Sequence, residues 1–179
     1  KDNLEIVIVD PKQTDFHFFK DLPHLRDNKI ITDPEEALKM LDEINSIEKE
    51  HRTQMLIESN SRDIESYNAK NPSNPMKRLV VFIDEYADLV KAAETLGIRK
   101  DFEARLCMLA QRVRNLGIHL VIATQRPSAS IVTTALKANI PVRISFRLPA
   151  HQDSMTILDR TGAEDLLGKG DMLFSPYGI

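Results

Sequence analysis

Cysteine is nearly absent from this 179-residue chain, and long apolar runs are absent altogether. The single cysteine, Cys107, excludes an internal disulfide and a cysteine-based zinc cluster. No apolar segment approaches the roughly 20 residues that a membrane-spanning helix needs, and no signal-peptide pattern opens the chain. The five histidines are too widely spaced for a metal motif. These absences predict a soluble protein of a reducing, cytoplasmic compartment that makes no contact with lipid.

Charge is present in both signs but is unevenly distributed. The chain carries 24 Lys and Arg against 27 Asp and Glu, a net charge of −3. From Arg112 to Arg160, however, seven basic residues stand against Asp153 and Asp159 alone, so this stretch has a net charge of +5. A slightly acidic protein can still bind a polyanion if such a stretch folds onto one face.

Apolar runs alternate with helical patterns, which predicts an α/β fold with a mainly parallel sheet. Strands are expected at residues 4–9, 79–83, 118–123 and 142–148. The second and third strands are expected to be buried on both faces, because their apolar runs lack alternation. The length suits one domain over residues 1–179.

Two helices are predicted from start and stop signals. One begins at Asp33-Pro34, where an Asx cap precedes a proline, and its apolar spacing continues to about Ile57. The other is amphipathic over residues 102–116 and ends at Gly117. The segment 71–75, with two prolines and two asparagines, is a loop that separates an α-rich first part from the rest.

Two buried strands end in residues that can carry chemistry. Residues 80–83 are apolar, and Asp84 and Glu85 follow directly. Open parallel sheets bind ligands at the carboxyl ends of their strands, where such acids can hold Mg²⁺ and polarise a water. Thr124 and Gln125 follow the next strand and would lie beside Asp84 and Glu85 if the two strands are neighbours. Taken alone, each segment equally fits a strand that simply ends in a polar loop.

Short segments along nearly the whole chain carry a more specific signal. They are residues 9–12 (VDPK), 84–89 (DEYADL), 109–114 (LAQRVR), 117–127 (GIHLVIATQRP), 137–144 (KANIPVRI), 156–159 (TILD), 162–168 (GAEDLLG) and 170–173 (GDML). In this order they resemble the motor domain of FtsK/SpoIIIE DNA translocases. The resemblance implies a RecA-like P-loop NTPase core that uses ATP and Mg²⁺, forms a hexameric ring in the parent protein and pumps double-stranded DNA in the bacterial cytoplasm.

The resemblance also implies roles for individual residues. Asp84 and Glu85 correspond to the Walker B pair, with Asp84 holding Mg²⁺ through water and Glu85 acting as general base. Gln125 corresponds to the sensor of the γ-phosphate. Arg114 matches the arginine that a neighbouring subunit presents to ATP, a role that suits a planar guanidinium. Without the resemblance, Arg114 reads as a solvated arginine at a helix end, where it favours the helix dipole.

DNA contacts are implied for Arg126 and Lys137, which match basic residues of the first pore loop. Such contacts go to phosphates and weaken with salt. Each residue alone would be an ordinary surface cation. A second pore loop of the family usually carries basic residues where this chain has His151 and Met155, so grip by that loop is expected to be weaker.

The sequence also lacks a Gly-x-x-x-x-Gly-Lys-Ser/Thr loop, the backbone cradle for the β- and γ-phosphates. In the family this loop precedes the strand that ends in Asp10. We therefore expect residues 1–179 to be the C-terminal part of the ATPase domain, inactive alone although the parent is an ATPase. A separate domain of the parent could anchor it to a membrane.

Two alternatives remain open at the level of sequence. The chain could belong to an FtsK/HerA-like ATPase of a DNA-transfer or DNA-defence system, for example restriction linked to phosphorothioated DNA. It could also be a truncated, non-catalytic module that binds DNA or a partner ring. A phosphate-binding loop shortly upstream would favour an enzyme, and a start codon at Lys1 would favour the binding module.

Overall fold

A computed structural model describes residues 3–176, except for the side chain of Arg112. The chain divides into two compact units, residues 1–124 and 125–179. The assignment of residues 1–179 to one ATPase domain stays a prediction. Within residues 3–176, no helix combines the length and the apolar character needed to cross a membrane.

A four-stranded, all-parallel sheet organises the first unit. Its strands are β1 (Leu4–Val9), β2 (Leu25–Ile31), β3 (Arg78–Ile83) and β4 (Ile118–Ile122), in the order β2-β1-β3-β4. The register places Ile83 beside Val9 on one side and beside Ile122 on the other. The carboxyl ends of β1, β3 and β4 therefore meet at one edge of the sheet, and the predicted parallel α/β fold is confirmed.

The two faces of this sheet differ in exposure. Buried residues of one face are Val7, Val9, Leu79, Val81, Ile83 and Ile118. On the other face Val80 and Phe82 are half-buried, and Val121 is 43% exposed. The prediction that β3 and β4 are buried on both faces is wrong for this second face. Within the described residues β4 pairs only with β3, so it is an edge strand, and exposure increases toward it.

Strand β2 has no counterpart in the sequence predictions. Its centre is polar, and Asp27 and Asn28 adopt left-handed backbone conformations with φ of 55° and 50°. Its pairing with β1 shifts register between Ile6 and Ile8, as a β-bulge does. This irregularity removes the alternation by which a half-buried strand is recognised.

The predicted first helix is confirmed in its start and in its extent. Asp33 accepts hydrogen bonds from the backbone N–H groups of Glu35 and Glu36, and α1 (Pro34–Glu43) follows. A π-helical turn, Ile44–Glu48, then leads into α2 (Lys49–Glu58). The sequence periodicity did not predict the π-helical turn.

The remaining helices of this unit are α3 (Ile64–Lys70), α4 (Tyr86–Thr95) and α5 (Arg99–Arg112). The predicted apolar stripe of α5 is confirmed, with Phe102, Leu106 and Leu109 fully buried. A 3₁₀ turn, Arg114–Leu116, continues α5 and stops at Gly117, whose φ of 68° is the left-handed conformation expected of a helix-ending glycine.

Among its described residues, 125–176, the second unit has a two-stranded antiparallel sheet, two α-helices and a 3₁₀ turn, Ala163–Asp165. Its elements are α6 (Thr134–Asn139), β5 (Arg143–Phe146), α7 (His151–Leu158) and β6 (Met172–Ser175). The strand predicted at 142–148 is therefore shorter, and it pairs with β6 rather than with the parallel sheet. Its alternation is inverted, because Ile144 and Phe146 are more than half exposed while Ser145 is buried.

Candidate active site

Three strand ends of the first unit are joined by backbone hydrogen bonds that continue past the strands themselves. The Asp84 N–H donates to the Val9 carbonyl at 2.9 Å. The Ala123 N–H donates to the Ile83 carbonyl at 2.9 Å, and the Tyr86 N–H donates to the Ala123 carbonyl at 2.8 Å. These bonds fix the backbone on both sides of Asp84 and Glu85, the two acids expected at this edge.

Glu85 is held in an unusual conformation. Its φ of 42° and ψ of 63° lie in the left-handed region, which non-glycine residues rarely adopt and which is often found at functional sites. It occupies the N-cap position of α4, yet its side chain does not cap the helix. The carboxylate is instead turned into the sheet edge, where its side chain is only 1% exposed.

Both oxygens of the Glu85 carboxylate accept hydrogen bonds. The Thr124 hydroxyl donates to Oε1 at 2.8 Å, and the Lys12 ammonium donates to Oε2 at 3.2 Å. The expectation that Thr124 lies beside Glu85 is confirmed, because β3 and β4 are neighbours in register. These two hydrogen bonds offset the cost of burying the carboxylate and hold it in one orientation, as a general base requires.

Asp84 lies half-buried next to Glu85 in an acidic environment. Burial, together with the nearby carboxylates of Asp10 and Asp15, raises the pKa of Asp84. A divalent cation would relieve this repulsion, and hard carboxylate oxygen is the ligand that Mg²⁺ prefers. Among residues 3–176, no cluster of three or more metal-ligating side chains occurs. Mg²⁺ binds through one or two carboxylates, water and substrate phosphates rather than in a protein cage, so Asp84 is the residue that would hold it here.

Lys12 belongs to the VDPK segment, residues 9–12, and the sequence predicts no role for it. It sits after β1, the strand adjacent to β3, and its ammonium also lies 3.5 Å from Asp88 on the first turn of α4. Glu85, and more weakly Asp88, raises the pKa of Lys12, so the ammonium stays charged. Lys12 could have been predicted at this edge from the sequence, because parallel strands place their carboxyl ends together.

The other residues with predicted catalytic roles are Arg114 and Gln125, which follow α5 and β4, respectively. Arg114 begins the 3₁₀ turn after α5 and is exposed. Gln125 is the first residue of the second unit and is also exposed. The proximity of Gln125 to Glu85 stays a prediction, as does the role of Arg114.

The predicted DNA-contacting residues all belong to the second unit. Arg126 is exposed, whereas Lys137 lies on α6 with its ammonium 2.6 Å from Asp159 Oδ1. His151 and Met155 were expected on a loop. They instead lie one turn apart on α7, and both are exposed.

Comparison with known proteins identifies the fold family. The model of the FtsK/SpoIIIE family matches residues 2–129. The chain belongs to the FtsK/SpoIIIE family. Curated members include the DNA translocase FtsK of Helicobacter pylori, 43% identical over 99% of this chain, and that of Caldanaerobacter subterraneus subsp. tengcongensis, 43% identical over 98%. The chain spans 20% and 24% of these relatives, respectively.

Solved structures agree with this family assignment. The pCW3 conjugation coupling protein TcpA, determined as a monomer with ATPγS, is 32% identical with a TM-score of 0.83, covering 97% of this chain and 49% of TcpA. The cytoplasmic domain of the Type VII secretion ATPase EccC from Thermomonospora curvata has a TM-score of 0.71 at 24% identity, covering 97% of this chain and 21% of EccC. The FtsK/SpoIIIE chain thus has the RecA-like P-loop ATPase fold that its sequence predicts.

Proposed function

We propose that this chain is the C-terminal part of an ATP-driven motor domain that moves double-stranded DNA in the bacterial cytoplasm. The observation that carries the proposal is the buried, doubly hydrogen-bonded Glu85 next to Asp84 at the carboxyl edge of a parallel sheet, in a member of the FtsK/SpoIIIE family. Relatives that are 43% identical are named DNA translocase FtsK, which favours DNA as the substrate.

Asp84 and Glu85 have different roles at the proposed ATP site. Asp84, with like charges around it, is the residue that would hold Mg²⁺, and the ion would neutralise charge on the phosphates. Glu85 accepts the proton of the attacking water, because its carboxylate is held by two hydrogen bonds and shielded from bulk solvent. Gln125 contacts the terminal phosphate or the water, and Arg114 of a neighbouring subunit stabilises the transferring phosphoryl group.

We further propose that the phosphate-binding loop comes from chain that precedes residue 1. Within the described residues β4 pairs with β3 on one side, and its other edge is unpaired. Val121 of β4 is 43% exposed on the less buried face of the sheet. A further parallel strand that carries the loop would pair with this edge. The segment 1–179 alone would then lack the cradle for the β- and γ-phosphates and would not hydrolyse ATP.

A role in DNA transfer is a second candidate. The structural likeness to TcpA, a conjugation coupling protein, extends over 97% of the chain with a TM-score of 0.83. His151 and Met155 occupy exposed positions of α7 where the family usually has basic residues, which agrees with a different substrate or weaker DNA contact. Both candidates share the ATP chemistry and differ in the cellular route of the DNA.

The test is ATP hydrolysis by the full-length protein, measured with and without double-stranded DNA at low and high salt. We expect DNA to stimulate turnover in the full-length protein and residues 1–179 alone to be inactive. Glu85→Gln should lower turnover by at least about 10²-fold and leave ATP binding intact, because only proton acceptance is lost.

Glu94→Gln, an exposed position at the end of α4, is the matched control and should behave as wild type. Normal turnover by Glu85→Gln would remove Glu85 as the base. Salt-sensitive DNA binding without hydrolysis in the full-length protein would support a non-catalytic binding module instead.

A further inference from the structure

The segment Asp10-Pro11-Lys12 forms a structured turn directly after β1. The Asp10 carboxylate is fully buried and accepts hydrogen bonds from the backbone N–H groups of Lys12, Gln13 and Phe16 at 3.1, 2.9 and 3.3 Å. A buried carboxylate with three backbone donors fixes the path of a chain far more firmly than exposed loop contacts do. The turn therefore sets where the Lys12 side chain can reach.

The Lys12 side chain extends from this turn to the neighbouring strand end. Its ammonium contacts Glu85 Oε2 at 3.2 Å and Asp88 Oδ2 at 3.5 Å, so it is held between two carboxylates. One of these, Glu85, is 1% exposed, whereas Lys12 is 32% exposed. The buried partner depends on the ammonium for compensation of its charge much more than the ammonium depends on it.

The Glu85 carboxylate is oriented by a hydrogen-bond donor at each oxygen. Thr124 donates to Oε1 and Lys12 to Oε2. The two donors together fix the plane of the carboxylate and the direction of its lone pairs. A general base works only if such a lone pair points at the water that it deprotonates.

We infer that Lys12 is a positioning residue for the general base, placed by the buried Asp10 turn and acting through its contact with Glu85. This inference rests on the proposed role of Glu85 in ATP hydrolysis. Lys12 orients the base and is not assigned a contact with ATP. Its loss should therefore affect the chemical step and not the binding of nucleotide.

The test uses the full-length protein and steady-state ATP hydrolysis with saturating double-stranded DNA. Lys12→Met should lower kcat by about 10- to 100-fold, because a displaced catalytic group loses about that much, while KM for ATP changes less than about twofold. Lys12→Arg, which restores a cation of similar reach, should recover most of the lost kcat. Lys29→Met is the control, since Lys29 forms only an exposed pair with Glu36 among its described contacts and should leave kcat unchanged.

A second variant guards against misfolding. Lys12→Gln keeps an N–H donor of similar length, and circular dichroism would confirm that each variant is folded. A folded Lys12→Met protein with wild-type kcat would overturn the inference, as would a loss of kcat/KM that comes from KM alone. Lys12→Gln, which keeps a donor, should lose less kcat than Lys12→Met. In a Glu85→Gln background Lys12→Met should cause no further loss, because its effect passes through Glu85.

The proposed roles of Glu85 and Lys12 can be refuted separately. If Glu85→Gln retains normal turnover, the proposed base is wrong and the role of Lys12 falls with it. If Glu85→Gln is inactive but folded Lys12→Met is fully active, only the role of Lys12 is overturned.

Discussion

The predicted DNA-contacting residue Lys137 is engaged in an ion pair within its own unit. Its ammonium bonds one oxygen of Asp159, and the Arg143 guanidinium bonds the other. These two cations hold the pKa of Asp159 below its usual range. The carboxylate thus occupies the position that the oxygens of a DNA phosphate would need. Lys137 can grip DNA only in competition with Asp159.

Asp159→Asn should therefore strengthen DNA binding by the full-length protein. Removing the competing charge makes Lys137 available, and each added phosphate contact steepens the plot of log affinity against log salt by about 0.9. The factor by which each such contact increases DNA affinity should be about 3.5-fold smaller at 200 mM salt than at 50 mM. Fluorescence anisotropy with a labelled duplex, measured across a salt series, gives both quantities.

Asp165→Asn makes the same change in net charge at an exposed position of the same unit and is the control. An Asp159→Asn protein that is folded but shows the salt dependence of the control would mean that Lys137 does not contact phosphate. The double variant Asp159→Asn/Lys137→Ala should lose the gain.

For individual residues, the sequence predicted the contacts of the proposed ATP site better than those of the proposed DNA site. Asp84, Glu85 and Thr124 were predicted to converge because all three follow strands of one parallel sheet, and the contact of Glu85 with Thr124 is confirmed. The pair of Lys137 with Asp159 joins residues 22 positions apart on α6 and at the end of α7. No periodicity or motif encodes such a tertiary contact.

The helical segment of residues 34–58 also contains a feature that the sequence did not predict. Its cap and length were predicted, but the π-helical turn at Ile44–Glu48 depends on packing: the Asn45 side chain donates to the Arg105 carbonyl of α5 at 2.9 Å. Beyond it, the buried Arg52 donates to the carbonyls of Lys77 and Leu116. Propensity and spacing cannot foresee contacts with partners 25 and 64 residues away.

The end of α5 offers a test of element geometry. Gly117 has φ of 68°, and a Cβ added there would lie 2.3 Å from Cδ1 of the buried Ile64. Gly97 has a similar φ of 74° with open space around it. Both Ala variants carry the left-handed backbone cost of about 1–2 kcal/mol, and only Gly117→Ala adds a steric cost of about 1–3 kcal/mol.

Urea unfolding of the two variants isolates the steric difference. Gly117→Ala should be the less stable of the two, and Ile64→Ala in the same protein should reduce the gap by making room for the new methyl group. Equal stability of Gly117→Ala and Gly97→Ala would show that Ile64 can move aside, and that the turn carrying Arg114 is less tightly packed than its contacts indicate.

The proposed catalytic groups Glu85 and Arg114 differ in exposure, and this difference bears on how whole molecules would assemble. Glu85 is buried, which suits a group that acts on ATP bound by its own subunit. Arg114 is exposed on the turn after α5, which suits a group presented to a different molecule. A ring built from identical head-to-tail interfaces would bring the two together at every interface. If Arg114 acts on ATP bound by its neighbour, as proposed, hydrolysis requires the assembled ring.

Mixing two inactive full-length variants tests this arrangement. Glu85→Gln subunits still present Arg114, and Arg114→Ala subunits still carry Glu85, so some mixed interfaces contain both groups. With equal amounts, random mixing and independent interfaces, about a quarter of the interfaces are complete, and turnover should reach about a quarter of the wild-type rate. The control replaces the first variant by the double variant Glu85→Gln/Arg114→Ala, with which no interface can be complete. A mixture no more active than this control would place the action of Arg114 within its own subunit or outside catalysis altogether.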